Sequence, residues 1–281
     1  MQNVASQQDD FYGDRMTAQV ARWAEGIAAV LSPDESASAL QLERLGGRDG
    51  RAVYKVVCGT RVGVLKLFDH SRPALRDAYL RERDMLVQLK GWSRTARHLA
   101  HCDAGGFVLT QYLRGTPVSQ YAERHGALSV ARAVGVWLGG LDARMITRPA
   151  FASWSDYLAS VRTGLPQSAV DGADAALGSL PVRGMALARN DGNLSNFVMN
   201  GSGHCLGFDF ERARVKPRGW DFVLTALELT AQSPGPVDPV LDRLADGFAS
   251  VRDQNTLVQD LRDVARFLFT EISAQSHKME G

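Results

Sequence analysis

The chain has 281 residues, 45% hydrophobic and 22% charged, and its 32 basic and 31 acidic side chains leave a formal charge of +1. So even a balance gives no electrostatic reason to expect nucleic acid, and no basic patch interleaved with aromatics supplies one. The length suits two modest lobes or one large domain. The opening stretch from Met1 to Asp10 has no basic segment leading into an apolar one. No later run reaches the ~18 apolar residues of a membrane span, so the expectation is a cytoplasmic protein with no membrane span. Cys58, Cys102 and Cys205 are isolated and odd in number, which fits small buried hydrophobes in a reducing compartment better than a disulfide frame or a zinc site.

In chain order, Met16, Val20, Trp23, Ile27 and Leu31 fall at helical spacing and stop at Ser32-Pro33, predicting a helix over 14–31. Leu45-Gly46-Gly47-Arg48-Asp49-Gly50-Arg51 reads as a glycine-rich turn. Its backbone N–H groups suit either a plain hairpin loop or a cover for phosphates. Two strands follow, Ala52 to Val57 and Arg61 to Phe68, with Gly59-Thr60 turning between them. Lys66 interrupts the second strand on the face it shares with Val62 and Val64.

Leu75, Tyr79, Glu82, Leu86 and Leu89 then recur at helical spacing, which puts Glu82 on the apolar stripe, away from the charged face of Arg76, Arg83 and Lys90. A buried carboxylate needs a cation, because an unpaired one costs several kcal/mol. Lys66 is the nearest buried cation in the order of elements. Phe107 to Leu113 reads as a strand that stops at Arg114-Gly115-Thr116-Pro117, where helical periodicity begins.

The densest chemistry lies in Arg189-Asn190-Asp191-Gly192-Asn193-Leu194-Ser195-Asn196 and the two short strands after it, Phe197 to Met199 and Cys205 to Phe208. Asn200-Gly201-Ser202-Gly203 between them is hairpin chemistry, since Asn and Gly accept positive φ cheaply. Paired strands lie roughly 4.8 Å apart, so the Asn196 amide oxygen and the Asp209 carboxylate are candidates to share one hard cation such as Mg2+. Asp221, after Trp220, reads as a helix N-cap. Beyond it the pattern is helical, over 237–251 and 257–272, with Pro234, Pro236 and Pro239 as punctuation.

With Lys66, Glu82, Asp191, Asn196 and Asp209 in this order, the chain from about Leu42 to about Leu229 resembles the protein-kinase-like phosphotransferases. It resembles especially the aminoglycoside phosphotransferase and choline kinase group, which Glu211, two residues after Asp209, suits. The resemblance implies an α+β, bilobal protein-kinase-like fold. A small antiparallel-sheet lobe would span 1–113, and a mainly helical lobe 114–281. It implies an ATP-dependent kinase acting on a hydroxyl of a small molecule, with ATP and Mg2+ as cofactors.

Lys66, held by Glu82, would grip the α and β phosphates under the Gly46-Gly47 turn. Asn196 and Asp209 would hold the metal, and Asp191 would serve as catalytic base. Thr110 would back the adenine pocket, while the Gln111 carbonyl and the Leu113 N–H would read the adenine edge.

Arg189 stands where these families usually carry His, Asn193 where Ser/Thr protein kinases carry Lys, and Asp142 where the aminoglycoside group often carries His. No Ala-Pro-Glu signature follows. Phe208-Asp209-Phe210-Glu211-Arg212-Ala213-Arg214 also resembles lipopolysaccharide sugar kinases and other small atypical bacterial kinases. Arg212, Arg214, Lys216 and Arg218 form either a solvated basic loop or a surface for an anionic acceptor. Asp142, Asp156, Asp171 and Asp174 are available to a cationic one. An atypical protein kinase and a pseudokinase kept for binding or scaffolding stay as alternatives.

Overall fold

The computed structural model describes residues 22–34, 40–47, 50–144, 146–161, 167–232, 236–251 and 255–279. Met16, Val20, Arg48, Asp49 and Pro234, which figured in the sequence reading, lie outside them. The chain forms two compact units: Met1–Arg114 with Asp209–Arg212, and Gly115–Phe208 with Ala213–Gly281.

The first unit is built on a five-stranded antiparallel sheet in the order β1-β2-β3-β5-β4. The strands are β1 (Gln41–Gly46), β2 (Arg51–Cys58), β3 (Arg61–Phe68), β4 (His98–Cys102) and β5 (Phe107–Gln111). Alternation in β2 and β3 sorts side chains to two faces, as the two-residue period of a strand requires. Ala52, Tyr54, Val56, Cys58, Leu65 and Leu67 go to a core capped by Ile27, Ala28 and Leu31 of a helix, α1, over residues 22–31. The other face carries Val53 directly opposite Lys66, and Val64 opposite Thr110.

Helix α2 (Pro73–Gln88) buries Leu75, Ala78, Tyr79, Glu82, Met85 and Leu86, the stripe expected from spacing. Strand β5 ends at Gln111, two residues earlier than its apolar pattern suggests; Tyr112 donates one more bond to the Val62 carbonyl, 3.2 Å, before the chain leaves the sheet.

The second unit is mainly helical. It holds α3 (Val118–His125), α4 (Ala127–Asp142), α5 (Trp154–Ser160), α6 (Gln167–Leu177), α7 (Trp220–Ala231), α8 (Asp238–Ala249) and α9 (Asn255–Met279). Strand β6 (Thr116–Pro117) pairs with a hairpin made of β8 (Phe197–Met199) and β9 (Cys205–Gly207). Strand β7 (Met185–Ala188) pairs antiparallel with β10 (Arg214–Pro217).

Helices α4 and α8 meet backbone to backbone. A Cβ on Gly135 or Gly139 would strike the carbonyl of Leu244 or Phe248, and one on Gly247 the carbonyl of Arg132. Asn200 closes the β8–β9 turn by accepting from the backbone N–H groups of Ser202 at 3.0 Å and His204 at 2.9 Å. Gly203 supplies the positive φ of 74° that this turn needs.

Among the described residues no helix is long and apolar enough to cross a membrane. Cys58, Cys102 and Cys205 are all free thiols.

Candidate active site

In the first unit, charge converges on Lys66. Its ammonium lies 2.5 Å from Asp209 Oδ1 and 3.4 Å from Glu82 Oε1, with only 16% of the Lys66 side chain and 5% of the Glu82 side chain exposed. Burial alone would pull the Lys66 pKa down. The carboxylates of Glu82, Asp209 and Glu211 outweigh it, and the ammonium is held above its ordinary range. Burial likewise pushes the Glu82 carboxyl up, against the pull of Lys66 and of the Phe210 N–H.

That N–H donates to Glu82 Oε2, so one carboxylate holds both the strand lysine and the backbone beside Asp209. Asp209 itself sits at φ 65°, a left-handed conformation uncommon outside glycine. Two further bonds fix the same short segment: Arg51 pairs with the Glu211 carboxylate, and Arg81 Nε donates to the Glu211 carbonyl at 2.6 Å. Gly47, at φ 116°, leaves no room for a Cβ against the Arg51 carbonyl and Ala52.

In the second unit, Asp191 is oriented by its own loop. Its Oδ1 accepts from the Asn193 N–H at 2.9 Å, and its Oδ2 from Asn196 Nδ2 at 3.3 Å. With its amide nitrogen turned to Asp191, Asn196 has a carbonyl oxygen to offer a hard cation. Asn193 Oδ1 accepts from Ser195 N–H at 2.8 Å and starts the single 3-10 turn Leu194–Asn196 that leads into β8. Gly192 lies so close to helix α7 that a Cβ would stand 2.5 Å from the Leu224 carbonyl. Thr110 is buried at the end of β5, Gln111 is exposed beside it, and Leu113 is half-buried just beyond the strand.

Three features sharpen or correct what the sequence suggested. Arg189 is fully buried, and its guanidinium donates to the carbonyl oxygens of Asp191, Asn196 at 3.3 Å and Phe208 at 3.5 Å. It lies 4.0 Å from the centroid of the Phe197 ring, so the brace is both hydrogen-bonded and aromatic. The N-cap reading of Asp221 is corrected: the cap position of α7 is Gly219, and no side chain caps it. The Asp221 carboxylate instead accepts from the backbone N–H groups of Arg189 at 2.6 Å and Asn190 at 2.7 Å. Burial pushes its pKa up to about 6, with the Arg189 charge and those two donors pulling it back.

Lastly, the supposed basic run is divided. Arg218 is taken up by Asp142, Nε at 2.9 Å and Nη2 at 2.7 Å, while Asp142 Oδ1 also accepts from Gly219 N–H. The other carboxylates considered for a cationic acceptor are engaged locally. Asp156 completes a capping box with Ser153, Asp171 accepts from Gln167, and Asp174 accepts from Ser155.

No family model and no curated protein matches the sequence. Solved structures do. A choline kinase from Cryptosporidium parvum Iowa II superposes with a TM-score of 0.59 at 8% identity, covering 88% of this chain and 86% of that one. A macrolide 2'-phosphotransferase from Brachybacterium faecium gives 0.55 at 15% identity over 91% and 94% of the two chains. Aminoglycoside phosphotransferase APH(4)-Ia, as a thermostable mutant in ternary complex with ADP and hygromycin B, gives 0.50 at 12% identity over 82% and 95%. Likeness at such identities speaks to architecture, and the architecture it establishes is the α+β, protein-kinase-like fold read from the order of polar residues.

Proposed function

We propose that the chain is an ATP-dependent phosphotransferase that moves the γ-phosphoryl group to a hydroxyl of a small molecule. The buried Lys66 ammonium, held by Glu82 and Asp209 and backed by an apolar strand face, carries the proposal. A lysine fixed in this way is a ready partner for the α and β phosphates. Gly46 and Gly47 would cover them, with Thr110, Gln111 and Leu113 bordering the adenine. The ADP held by APH(4)-Ia shows that the fold accommodates such a nucleotide in that protein.

The oxygen donors Asn196 and Asp209 fit a hard divalent cation such as Mg2+, and with it they would neutralise phosphate charge. Asp191, held at both oxygens, orients the acceptor hydroxyl and takes its proton. Phosphoryl transfer asks mainly for positioning and charge neutralisation, which a pre-set group of side chains supplies. A requirement for ATP is also what would place the protein in the cytoplasm.

Replacing Asp191 tests the assignment. Asp191→Ala should abolish ADP release in the presence of acceptor while the thermal shift produced by magnesium ATP stays near that of the parent. Unchanged turnover would refute the role of Asp191. A parent protein that is shifted by magnesium ATP yet never releases ADP with any acceptor would favour a nucleotide-binding scaffold instead.

A further inference from the structure

Strand β10 delivers two cations to the base of the Asp191 loop. In its antiparallel register with β7, Arg214 faces Ala188 and Lys216 faces Ala186, and the chain passes from Ala188 directly into Arg189. Two residues apart on one strand, Arg214 and Lys216 share a face. Arg214 is exposed and Lys216 half-buried, with the Lys216 ammonium 5.5 Å above the ring of the buried Tyr157 on α5.

Among the described residues neither forms an ion pair. Arg214 donates only to the neighbouring Ala213 carbonyl, 3.1 Å away. Burial first and Arg214 second depress the Lys216 pKa, and among the described residues no carboxylate opposes them. The contrast with Arg218, two residues further on and gripped by Asp142, is sharp. A half-buried ammonium next to a guanidinium is costly without a counter-ion. The aromatic ring fixes where the ammonium sits but leaves its charge uncompensated.

We infer that Arg214 and Lys216 form the acceptor-recognition subsite, taking a phosphate or carboxylate on the hydroxyl compound, so that the acceptor is an anion. The assignment deepens the phosphotransferase activity proposed above and stands on it. A fork and a point charge side by side suit an oxyanion, the guanidinium binding two oxygens and the ammonium a third.

The test divides a deproteinised small-molecule cell extract at pH 7 into fractions retained by an anion exchanger, by a cation exchanger, and by neither. Each is assayed for ADP release from magnesium ATP by the parent protein and by Asp191→Ala. Asp191-dependent release with the anion-retained fraction is the expected result. Release only with the cation-retained or unretained fraction overturns the anionic acceptor and leaves phosphotransfer standing. Release with no fraction removes phosphotransfer, and this inference with it.

With the active fraction, Lys216→Met and Arg214→Met should each raise the half-saturating amount about tenfold or more, with the maximal rate within about twofold. Lys216→Arg should restore most of the loss. Unchanged half-saturation in both Met variants overturns the subsite.

Discussion

Arg189→Met keeps an unbranched apolar stem and deletes the charged guanidinium head, so it reports on what that buried head does. The parent side chain makes one short charge-assisted bond to the Asp191 carbonyl and two long ones, 3.3 and 3.5 Å, which add little. Its charge also acts on the buried Asp221 carboxylate, holding the pKa of that group down against burial. Leaving a buried carboxylate without the positive charge that offsets it costs up to about 3–5 kcal/mol. For a protein of this size that is a drop of about 10 °C in melting temperature.

The loss should also depend on pH. Asp221 has an ordinary pKa of 3.8, raised to about 6 in the folded chain. An acid raised by folding costs nothing below its unfolded pKa; the penalty builds up between the unfolded and the folded values and is complete above the folded one. Without Arg189 the folded value climbs further, so the deficit should be larger at pH 8 than at pH 5, where the carboxyl is largely protonated in both proteins. Asp221→Asn in the Met background should recover part of the stability at pH 8, a coupling that a double-mutant cycle reads directly. Thermal melts at the two pH values decide the matter. A Met variant melting within about 2 °C of the parent at both would refute the account of Arg189 as a brace.

Glu82→Gln retains an acceptor for the Phe210 N–H but removes the charge facing Lys66. It should lower kcat/KM for ATP by roughly 10- to 100-fold, read by ADP release, since a hydrogen bond to a charged group contributes about 1.5–3 kcal/mol. Trp220→Phe keeps the ring packing against Tyr157 and Trp154 but loses the 3.1 Å bond from Nε1 to Asn190 Oδ1. It should cost about 1 kcal/mol in urea denaturation.

What the sequence disclosed and what it hid follow from the range of the interactions. Lys66 and Glu82 were legible because each breaks an otherwise apolar pattern, and a charge on a buried stripe demands a partner. The β8–β9 hairpin was legible because its turn chemistry lies within four residues, Asn200 to Gly203. Asp221 was misread for the opposite reason. A carboxylate in the first turn of a helix resembles a cap, and only tertiary folding brings it to the N–H groups of Arg189 and Asn190, some thirty residues earlier in the chain. Arg189 carried no periodic signal at all, since its partners are carbonyl oxygens, which every residue possesses. Arg218 looked like one more member of a basic run until Asp142 met it from the end of α4.

The glycine-lined crossing of α4 and α8 bears on how the protein is made. Helix α4 ends at Asp142, whereas α8 begins at Asp238. At about 5–20 residues per second, a ribosome needs roughly 5–20 s to extend the nascent chain from one to the other. Throughout that interval the notched, apolar flank of α4 has no α8 to cover it. Chaperone occupancy on the emerging polypeptide should therefore peak after Asp142 and fall once Ala249 has cleared the exit tunnel.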